Sequence, residues 1–313
     1  MPPVSVPAPP PLVSVLMNVY NGERFVGAAC RSVLGQTLGD LELIVVDDGS
    51  TDRTPAILAA LAAEDPRVLI VTQPNAGITA ALNAGLRRCR GEFVAKMDAD
   101  DVSLPDRFAK QVAFLRDHPD VLVVGGAWEI IDERDRPITT LRPPTDDAAI
   151  QATLLRGHAA LTHSCAMIRR RALEQVGGYD ESFKSNAEDL DLWLRLGEVG
   201  KLHNLADVVL RYRIHAASVS ETRRAEQREH ARRAVERAWA RRGITDGTFD
   251  ATEHWRPGQD HASRYAFALR YGWWAWKAGH RATARVYAAR AMRAKPWGAE
   301  AWKLLAKSTL PIL

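Results

Sequence analysis

Three aspartates follow a short apolar run in the middle of the chain. Residues 92–101 read Glu-Phe-Val-Ala-Lys-Met-Asp-Ala-Asp-Asp, so a buried strand is predicted to end in Asp98, Asp100 and Asp101. Clustered carboxylates repel one another and are costly to remove from water, so such a group often holds a cation. Oxygen ligands suit Mg²⁺ or Mn²⁺, ions that commonly bind phosphates. The alternative is a solvated turn, because aspartate is frequent after strands.

A second pair of acids, Asp47 and Asp48, ends another apolar run and precedes Gly-Ser-Thr. A carboxylate in this place can accept a hydrogen bond from the N–H of a nucleobase, while the amides of the turn face a polar ligand. An Asx-type turn that caps the following helix is the structural alternative, and one of the two acids is expected to do only that.

Residues 188–199 predict a helix with acids on two of its faces. Steps of about 100° place Asp189 in the apolar stripe, between Leu196 and Trp193, and Asp191 on the solvated side. Burial raises the pKa of a carboxyl group, as a general base near neutral pH requires. The alternative is an acid in the first helical turn that only interacts with the helix dipole.

The elements that position these acids alternate along the first half of the chain. The predicted strands are Val13–Met17, Leu43–Val46, Val68–Val71, Phe93–Met97 and Val121–Val124, and the predicted helices cover about 23–35, 53–64, 77–90 and 105–117. This alternation predicts a mostly parallel sheet with helices on both faces, and ligands bind beyond the carboxyl ends of such strands. Both groups of aspartates fall at those ends.

The pattern changes after residue 125. We expect a hairpin of Trp128–Ile131 and Pro137–Leu141, a helix near 146–156, and strands at Ser164–Ile168 and Leu205–Tyr212. His163 and His215 flank the last two runs, where a lone histidine more often packs than binds. Further helices are predicted over Glu221–Arg242, with many exposed ion pairs, and over 262–280, 281–294 and 297–308.

Composition divides the chain in two. Residues 1–218 have a net charge of −6, whereas residues 219–313 have a net charge of +10 and hold seven of the nine tryptophans. We therefore expect a Pro-rich disordered lead at 1–11, a catalytic domain at 12–220 with halves meeting near 125/126, and a basic helical region at 221–313. That region is expected either to pack on the catalytic domain or to dock on an anionic membrane.

The three cysteines show no metal-ligand spacing, and reduced, buried thiols in a reducing compartment are expected. No apolar run approaches the ~20 residues of a membrane span, and the first residues lack the features of a signal peptide. We expect a cytoplasmic protein, with peripheral contact at the inner face of the membrane as an addition. No element that would read nucleic acid is apparent.

Taken in order, these motifs resemble the inverting family 2 glycosyltransferases of the GT-A fold. The resemblance runs from Val13 to about Ser220, with Asn18 where the family usually has proline. The matching segments are Val13–Asn21, Val46–Asp52, Asn75–Gly77 with Leu82-Asn83, Met97–Asp101, His163–Arg169, Gly177–Phe183, Ala187–Trp193, and Tyr212–His215 with Ser218 and Ser220. It implies a mixed, mostly parallel sheet flanked by helices, with a C-terminal helical extension.

The resemblance also implies roles for individual residues. Asp189 is the implied catalytic base, and Asp98, Asp100 and His215 are the implied ligands of Mn²⁺ or Mg²⁺. The acceptor side is implied at His163, Glu188 and Trp193. The nucleotide sugar is implied to contact Val19, Asn21, Asp47, Asp48, Asn75, Gly77, Asn83 and Asp98.

The implied reaction is transfer of a sugar from a nucleotide-diphosphate donor, with UDP favoured, to a hydroxyl of a glycan, lipid-linked or other acceptor. A role in bacterial-type surface polysaccharide synthesis is expected. One alternative is a sugar-1-phosphate nucleotidyltransferase, which would need a glycine-rich, arginine-containing loop where this chain has Tyr20–Phe25. The other is a non-catalytic nucleotide-binding scaffold that works through its helical tail.

Overall fold

The computed structural model describes residues 9–183, 187–215, 224–251 and 260–309. Most of the predicted lead, Ser218 and Ser220, and the start of the helix predicted from Glu221 lie outside the described residues. The first half contains β1 (Val13–Val19), α1 (Val26–Leu34), β2 (Leu41–Asp47), α2 (Thr54–Glu64), β3 (Val68–Thr72), α3 (Ile78–Leu86), β4 (Phe93–Asp98), β5 (Val102–Ser103) and α4 (Arg107–Asp117).

The second half supplies the remaining strands and the C-terminal helices. It contains β6 (Val121–Asp132), β7 (Pro137–Leu141), α5 (Asp147–Leu154), β8 (Met167–Arg169), α6 (Arg170–Gln175), α7 (Glu188–Leu196) and β9 (Lys201–Ile214). The helices that follow are α8 (Arg224–Arg242), α9 (His261–Lys277), α10 (Arg281–Ala294) and α11 (Ala299–Thr309).

The strands form one mixed sheet in the order β3-β2-β1-β4-β8-β6-β9-β5, and β7 pairs with the second half of β6. The β3-β2-β1-β4 part is parallel, as predicted, so the carboxyl ends of β1, β2 and β4 share one edge. Antiparallel β8 joins this part to the parallel pair of β6 and β9. The predicted fold class is confirmed.

Successive residues of the strands point to opposite faces of the sheet, and each face has its own core. Val15 and Met17 of β1 pack under α1, whereas Leu16 packs with Leu82 of α3 on the other face. A third cluster lies where α9, α10 and α11 meet the β6–β7 hairpin. The sheet therefore has helices on both faces, and the edge formed by the strand ends remains available for a site.

The bounds of β6 and β8 are among those that differ from the predicted ones. β6 is one strand of twelve residues rather than two runs separated at Gly125-Gly126. A Cβ at Gly125 would collide with the side chain of Asn204, so the glycine permits close packing within a strand rather than ending it. The predicted strand from Ser164 begins later, because a 3₁₀ turn covers His163–Cys165 before β8.

The C-terminal helices pack on the rest of the chain. α8 buries Ala234, Val235 and Ala238 in the same core as α7. Arginines of α8 form ion pairs with acids of other elements, as Arg237 does with Asp180 and Arg241 with Glu198. The prediction was of ion pairs along an exposed face of the helix. Ion pairs thus contribute to the packing of the basic C-terminal region on the acidic residues 1–218.

All three cysteines are buried and free, as expected. None of the described helices is both long and apolar enough to cross a bilayer.

Candidate active site

The end of β4 places three carboxylates together. One carboxylate oxygen from each of Asp98, Asp100 and Asp101 lies within 4.8 Å of the other two. Asp98 and Asp100 are half-buried and Asp101 is buried, so this is not the solvated turn considered above. The site is an acidic recess at the carboxyl edge of the parallel strands.

Asp98 has a buried cationic partner. Lys96, only 1% exposed, donates from Nζ to Oδ1 of Asp98 and to the carbonyl of Met97. Ser164 donates to Oδ2 of Asp98 at 2.6 Å. Burial alone would raise the pKa of Asp98, but the charge of Lys96 and these hydrogen bonds lower it below its usual range. Asp98 is therefore held as a carboxylate.

Asp100 and Asp101 are held by the end of β9. The imidazole Nε2 of His215 lies 2.9 Å from Oδ2 of Asp100, and the guanidinium of Arg213 donates to the carbonyl of Asp100. Asp101 accepts a hydrogen bond from the backbone N–H of Arg213 at 2.8 Å. Asp101 thus fastens the loop after β4 to β9.

Among the described residues, Oδ2 of Asp101 is buried without a hydrogen-bond partner. Burial, followed by the charges of Asp100 and Asp98, raises the pKa of Asp101 well above its usual value. An oxygen-rich group with an unpartnered buried oxygen and an adjacent imidazole fits a hard divalent cation. The residues present therefore fit the implied metal.

The ends of β1 and β2 form the second wall of the recess. Asp48 accepts hydrogen bonds from the side chain of Gln73 and from the backbone N–H groups of Ala76 and Gly77, at 2.7–3.0 Å. Asp47 accepts from the N–H of Ser50, as expected for an Asx-type turn. Both acids are buried and bind the loops together.

Other residues implied to contact the nucleotide lie around this wall. Asn21 has a left-handed φ of 51° and accepts from the N–H of Thr51, which joins the β1 loop to the β2 loop. Val19 ends β1 beside Asp47, and Asn75 is exposed in the loop before α3. Asn83 instead holds the backbone N–H and carbonyl of Tyr179.

The first turn of α7 brings two more acids to the recess. Ala187, with a left-handed φ of 65°, precedes the helix, and Asp189 accepts from the N–H of Leu190. Burial raises the pKa of Asp189, and the negative charge of Asp98 raises it further. Glu188 is 8% exposed, and its Oε2 has no hydrogen-bond partner among the residues that the structure describes. Burial and the charge of Asp189 raise the pKa of Glu188 to about 8.

Aromatic side chains line the floor beneath these acids. Nε2 of His163 lies 2.8 Å from the hydroxyl of Tyr179, and its ring meets Trp193 edge-on at 5.8 Å. Burial and the nearby charge of Lys96 lower the pKa of His163 to about 3, so the imidazole is neutral. Trp193 is buried, with its indole N–H unpartnered among the described residues.

The prediction that Asp191 is solvated is wrong. Asp191 is 1% exposed and is paired with Arg195, which also donates to the carbonyl of Val176. This face of α7 lies against the end of α6, and the core containing α8 covers other parts of the helix. Helical periodicity identified the stripe that contains Asp189 but could not show that the remaining faces are also covered.

Comparison with known proteins identifies the family. The family model described as Glycosyl transferase family 2 matches residues 14–177, about half of the chain. The amylovoran biosynthesis glycosyltransferase AmsE of Erwinia amylovora is 32% identical over 216 residues, which cover 68% of this chain and 80% of that protein. The chain belongs to glycosyl transferase family 2.

Solved structures support the GT-A fold of this glycosyltransferase. A mannosyltransferase from Pyrobaculum calidifontis, in complex with GDP-Man and Mn²⁺, has a TM-score of 0.56 and 21% identity, covering 96% of this chain and 80% of its own. TarS of S. aureus with UDP-GlcNAc has a TM-score of 0.59 and 17% identity, covering 90% and 81%.

Several residues of the glycosyltransferase site were not singled out from the sequence. Lys96, Ser164, Tyr179 and Arg213 all contact the residues discussed above. A lysine inside the apolar run Phe-Val-Ala-Lys-Met was a usable signal, because a buried lysine needs an anionic partner. Ser164 and Tyr179 carried no comparable signal.

Lys96→Met is expected to lower the free energy of unfolding by about 2 kcal/mol, since loss of one member of a buried ion pair leaves the other uncompensated. Urea unfolding followed by circular dichroism measures this change. Lys110→Met is the matched control, because Lys110 pairs with Asp106 and Asp207 at the surface and should change stability by less than about 1 kcal/mol. Equal effects of both substitutions would contradict the role given to Lys96.

Glu188→Gln is expected to alter how stability depends on pH. Between the ordinary glutamate range and pH 8 the folded state keeps the Glu188 proton and the unfolded state does not, so wild-type stability falls as pH rises. Glutamine removes this contribution, on the order of 1 kcal/mol or more across pH 5–8. Urea unfolding at several pH values compares the two slopes, and parallel curves would show that Glu188 does not retain its proton.

Proposed function

We propose that this family 2 enzyme transfers a sugar, with inversion at the anomeric carbon, from a nucleotide-diphosphate sugar to an acceptor hydroxyl. The observation that carries the proposal is the position of Asp189, a half-buried carboxylate in the same recess as the Asp98–Asp101 cluster, close enough for the charge of Asp98 to raise its pKa. A donor-binding acidic group and a separate proton acceptor are what such a transfer requires.

In the proposed reaction, Asp189 accepts the acceptor hydroxyl proton as that oxygen attacks the anomeric carbon. The bond between the anomeric carbon and the diphosphate oxygen breaks, and the nucleoside diphosphate leaves with the bonding electrons. Asp98, Asp100 and His215 would hold Mn²⁺ or Mg²⁺, which supplies positive charge to the diphosphate when bound. Lys96 holds Asp98 in place, and the neutral His163 and Trp193 form the acceptor side beneath Asp189.

The donor proposed is of the UDP type. The loops after β1 and β2 form the proposed base and ribose side, with Asn21, Asn75 and Gly77 at its edge and Val19, Asp47 and Asp48 behind them. Asn83, which the resemblance implied as a nucleotide contact, instead holds the backbone of Tyr179, whose hydroxyl contacts His163 on the acceptor side. The structural neighbours include TarS with UDP-GlcNAc and the mannosyltransferase with GDP-Man. The nucleobase of the donor therefore needs a direct test.

A place in surface polysaccharide synthesis is proposed from the likeness to AmsE, whose name refers to amylovoran biosynthesis. The acceptor is then a growing glycan, free or lipid-linked. We assign catalysis to residues 12–220 and support to the helices after residue 221. Contact of those helices with the membrane that carries such acceptors is part of the proposal, because the region is strongly basic.

A thermal-shift panel tests the donor. UDP-, GDP-, dTDP- and CMP-sugars are each added to the full chain with Mn²⁺ or with EDTA, and hydrolysis to the free nucleotide is followed in parallel. We expect a UDP-sugar with Mn²⁺ to raise Tm most, since a ligand that binds only the folded state stabilises it. If a nucleotide sugar raises Tm but none is hydrolysed, the nucleotide-binding scaffold alternative gains; if only a GDP-sugar raises Tm and is hydrolysed, the UDP assignment is wrong.

A further inference from the structure

We propose that one corner of the C-terminal helices binds the surface of an anionic lipid bilayer. The corner contains the start of α9, the end of α10 and the turn into α11, and we call it the tryptophan corner. Its members are Arg264, Arg293, Lys295, Trp297, Trp302 and Lys303. This inference narrows the membrane contact included in the proposed function to one defined surface.

Two indoles lie at this corner in contact with water. Trp297 is 92% exposed and Trp302 is 53% exposed. The indole N–H of Trp302 donates to the carbonyl of Pro296 at 2.9 Å, which places both rings at the same turn. Gly298 packs so closely on Tyr265 that a Cβ would collide with the phenol, so the turn is seated on α9. Tryptophan has an apolar body and a polar N–H, a combination favoured at membrane interfaces.

The charges around the indoles are mainly positive. Arg264, Arg293, Lys295 and Lys303 are exposed, and Lys295 lies 5.6 Å from the ring centre of Tyr265. In the described part of the chain, no acidic side chain pairs with Arg264, Arg293 or Lys295. Two acids described near this corner are engaged, because Asp260 caps α9 through Ser263 and Glu300 lies 3.5 Å from Lys303.

The size and chemistry of the corner favour lipid over a protein partner. Two indoles supply at most about 300–500 Å² of contact area, whereas a stable protein interface buries roughly 800 Å² on each partner. A bilayer needs no matching shape, and it combines an interfacial zone for indoles with anionic headgroups for lysine and arginine. Basic and aromatic side chains at one turn therefore match an anionic lipid surface.

Co-sedimentation of the full chain with vesicles tests this inference without donor or metal. Vesicles of phosphatidylglycerol and phosphatidylcholine should bind the protein at low salt, and pure phosphatidylcholine should bind it much less. Arg293→Glu/Lys295→Glu should weaken binding by at least about fivefold for each charge. Trp297→Ala alone, and with Trp302→Ala, should weaken binding progressively. Leu69→Ala is the matched control, since Leu69 is an exposed apolar residue on β3.

Thermal unfolding of each variant establishes that it is folded. If the double tryptophan variant is unstable, vesicle binding of Trp297→Ala alone is compared with that of the wild type. Absence of binding to anionic vesicles at low salt would overturn the inference, as would unchanged binding of the tryptophan variants. Self-association that is lost in these variants, without lipid binding, would assign the corner to a second copy of the chain. Because no donor is present, either result leaves the transferase proposal standing.

Discussion

Asp189→Asn is expected to retain the fold and donor binding and to lose at least about 100-fold in turnover, the scale of general-base contributions. Asparagine keeps an Oδ1 that can accept from the N–H of Leu190, so the first turn of α7 should be unchanged. It cannot accept the acceptor proton. Release of UDP from the UDP-sugar that gives the largest Tm shift, with water as acceptor, measures the loss, and titration of the same donor measures binding.

Asp191→Asn is the matched control for this experiment. Asp191 lies in the same helical turn and is more deeply buried than Asp189, but its carboxylate pairs with Arg195. We expect this control to be less stable yet to release UDP at a near-normal rate per folded molecule. Turnover of Asp189→Asn within about threefold of wild type would show that another group accepts the proton.

Local periodicity was sufficient for the parallel half of the fold. β1, β2 and β4 are short apolar runs that end in Asn, Asp or Gly, and strand pairing then places Asp47 and Asp98 at one edge. Periodicity also placed Asp189 correctly at the start of a helix. These predictions depend on residues a few positions apart, for which backbone geometry determines the outcome.

Contacts between distant residues could not be predicted in this way. Asp191 is buried because the end of α6 lies against one face of α7. The residue pattern of α7 gives no sign of this neighbour. Gly125 lies within a strand because the side chain of Asn204, about eighty residues later, occupies the place where a Cβ would be. Asp48 accepts from Ala76 in the loop before α3, and Asp101 accepts from Arg213 in β9. Periodicity does not predict which loops and strands lie next to each other. The charge balance at Lys96 was a usable signal, but a local one, because its partner Asp98 is two residues away.

Asp100→Ala is expected to abolish the strengthening of donor binding by Mn²⁺, a loss of at least about tenfold, while binding in EDTA stays as in wild type. The carboxylate of Asp100 is partly exposed, and its partner His215 follows the end of β9. Removing this carboxylate leaves Asp98, which is engaged by Lys96, and Asp101, which is engaged by the N–H of Arg213. Asp98 is already a proposed metal ligand, and Asp101 has only its buried Oδ2 left to offer, so the site still loses one carboxylate.

Titration of the UDP-sugar by calorimetry, with Mn²⁺ and with EDTA, measures this change, and Mn²⁺ titrated alone gives a readout that does not depend on turnover. Asp120→Ala is the control, because Asp120 is an exposed acid that pairs with Lys201 away from the recess. His215→Ala should give a smaller loss than Asp100→Ala, since the imidazole contributes one nitrogen whereas the carboxylate contributes charge. Equal donor affinity of the wild type in Mn²⁺ and EDTA would remove the metal from the proposal and leave Asp189 as its centre.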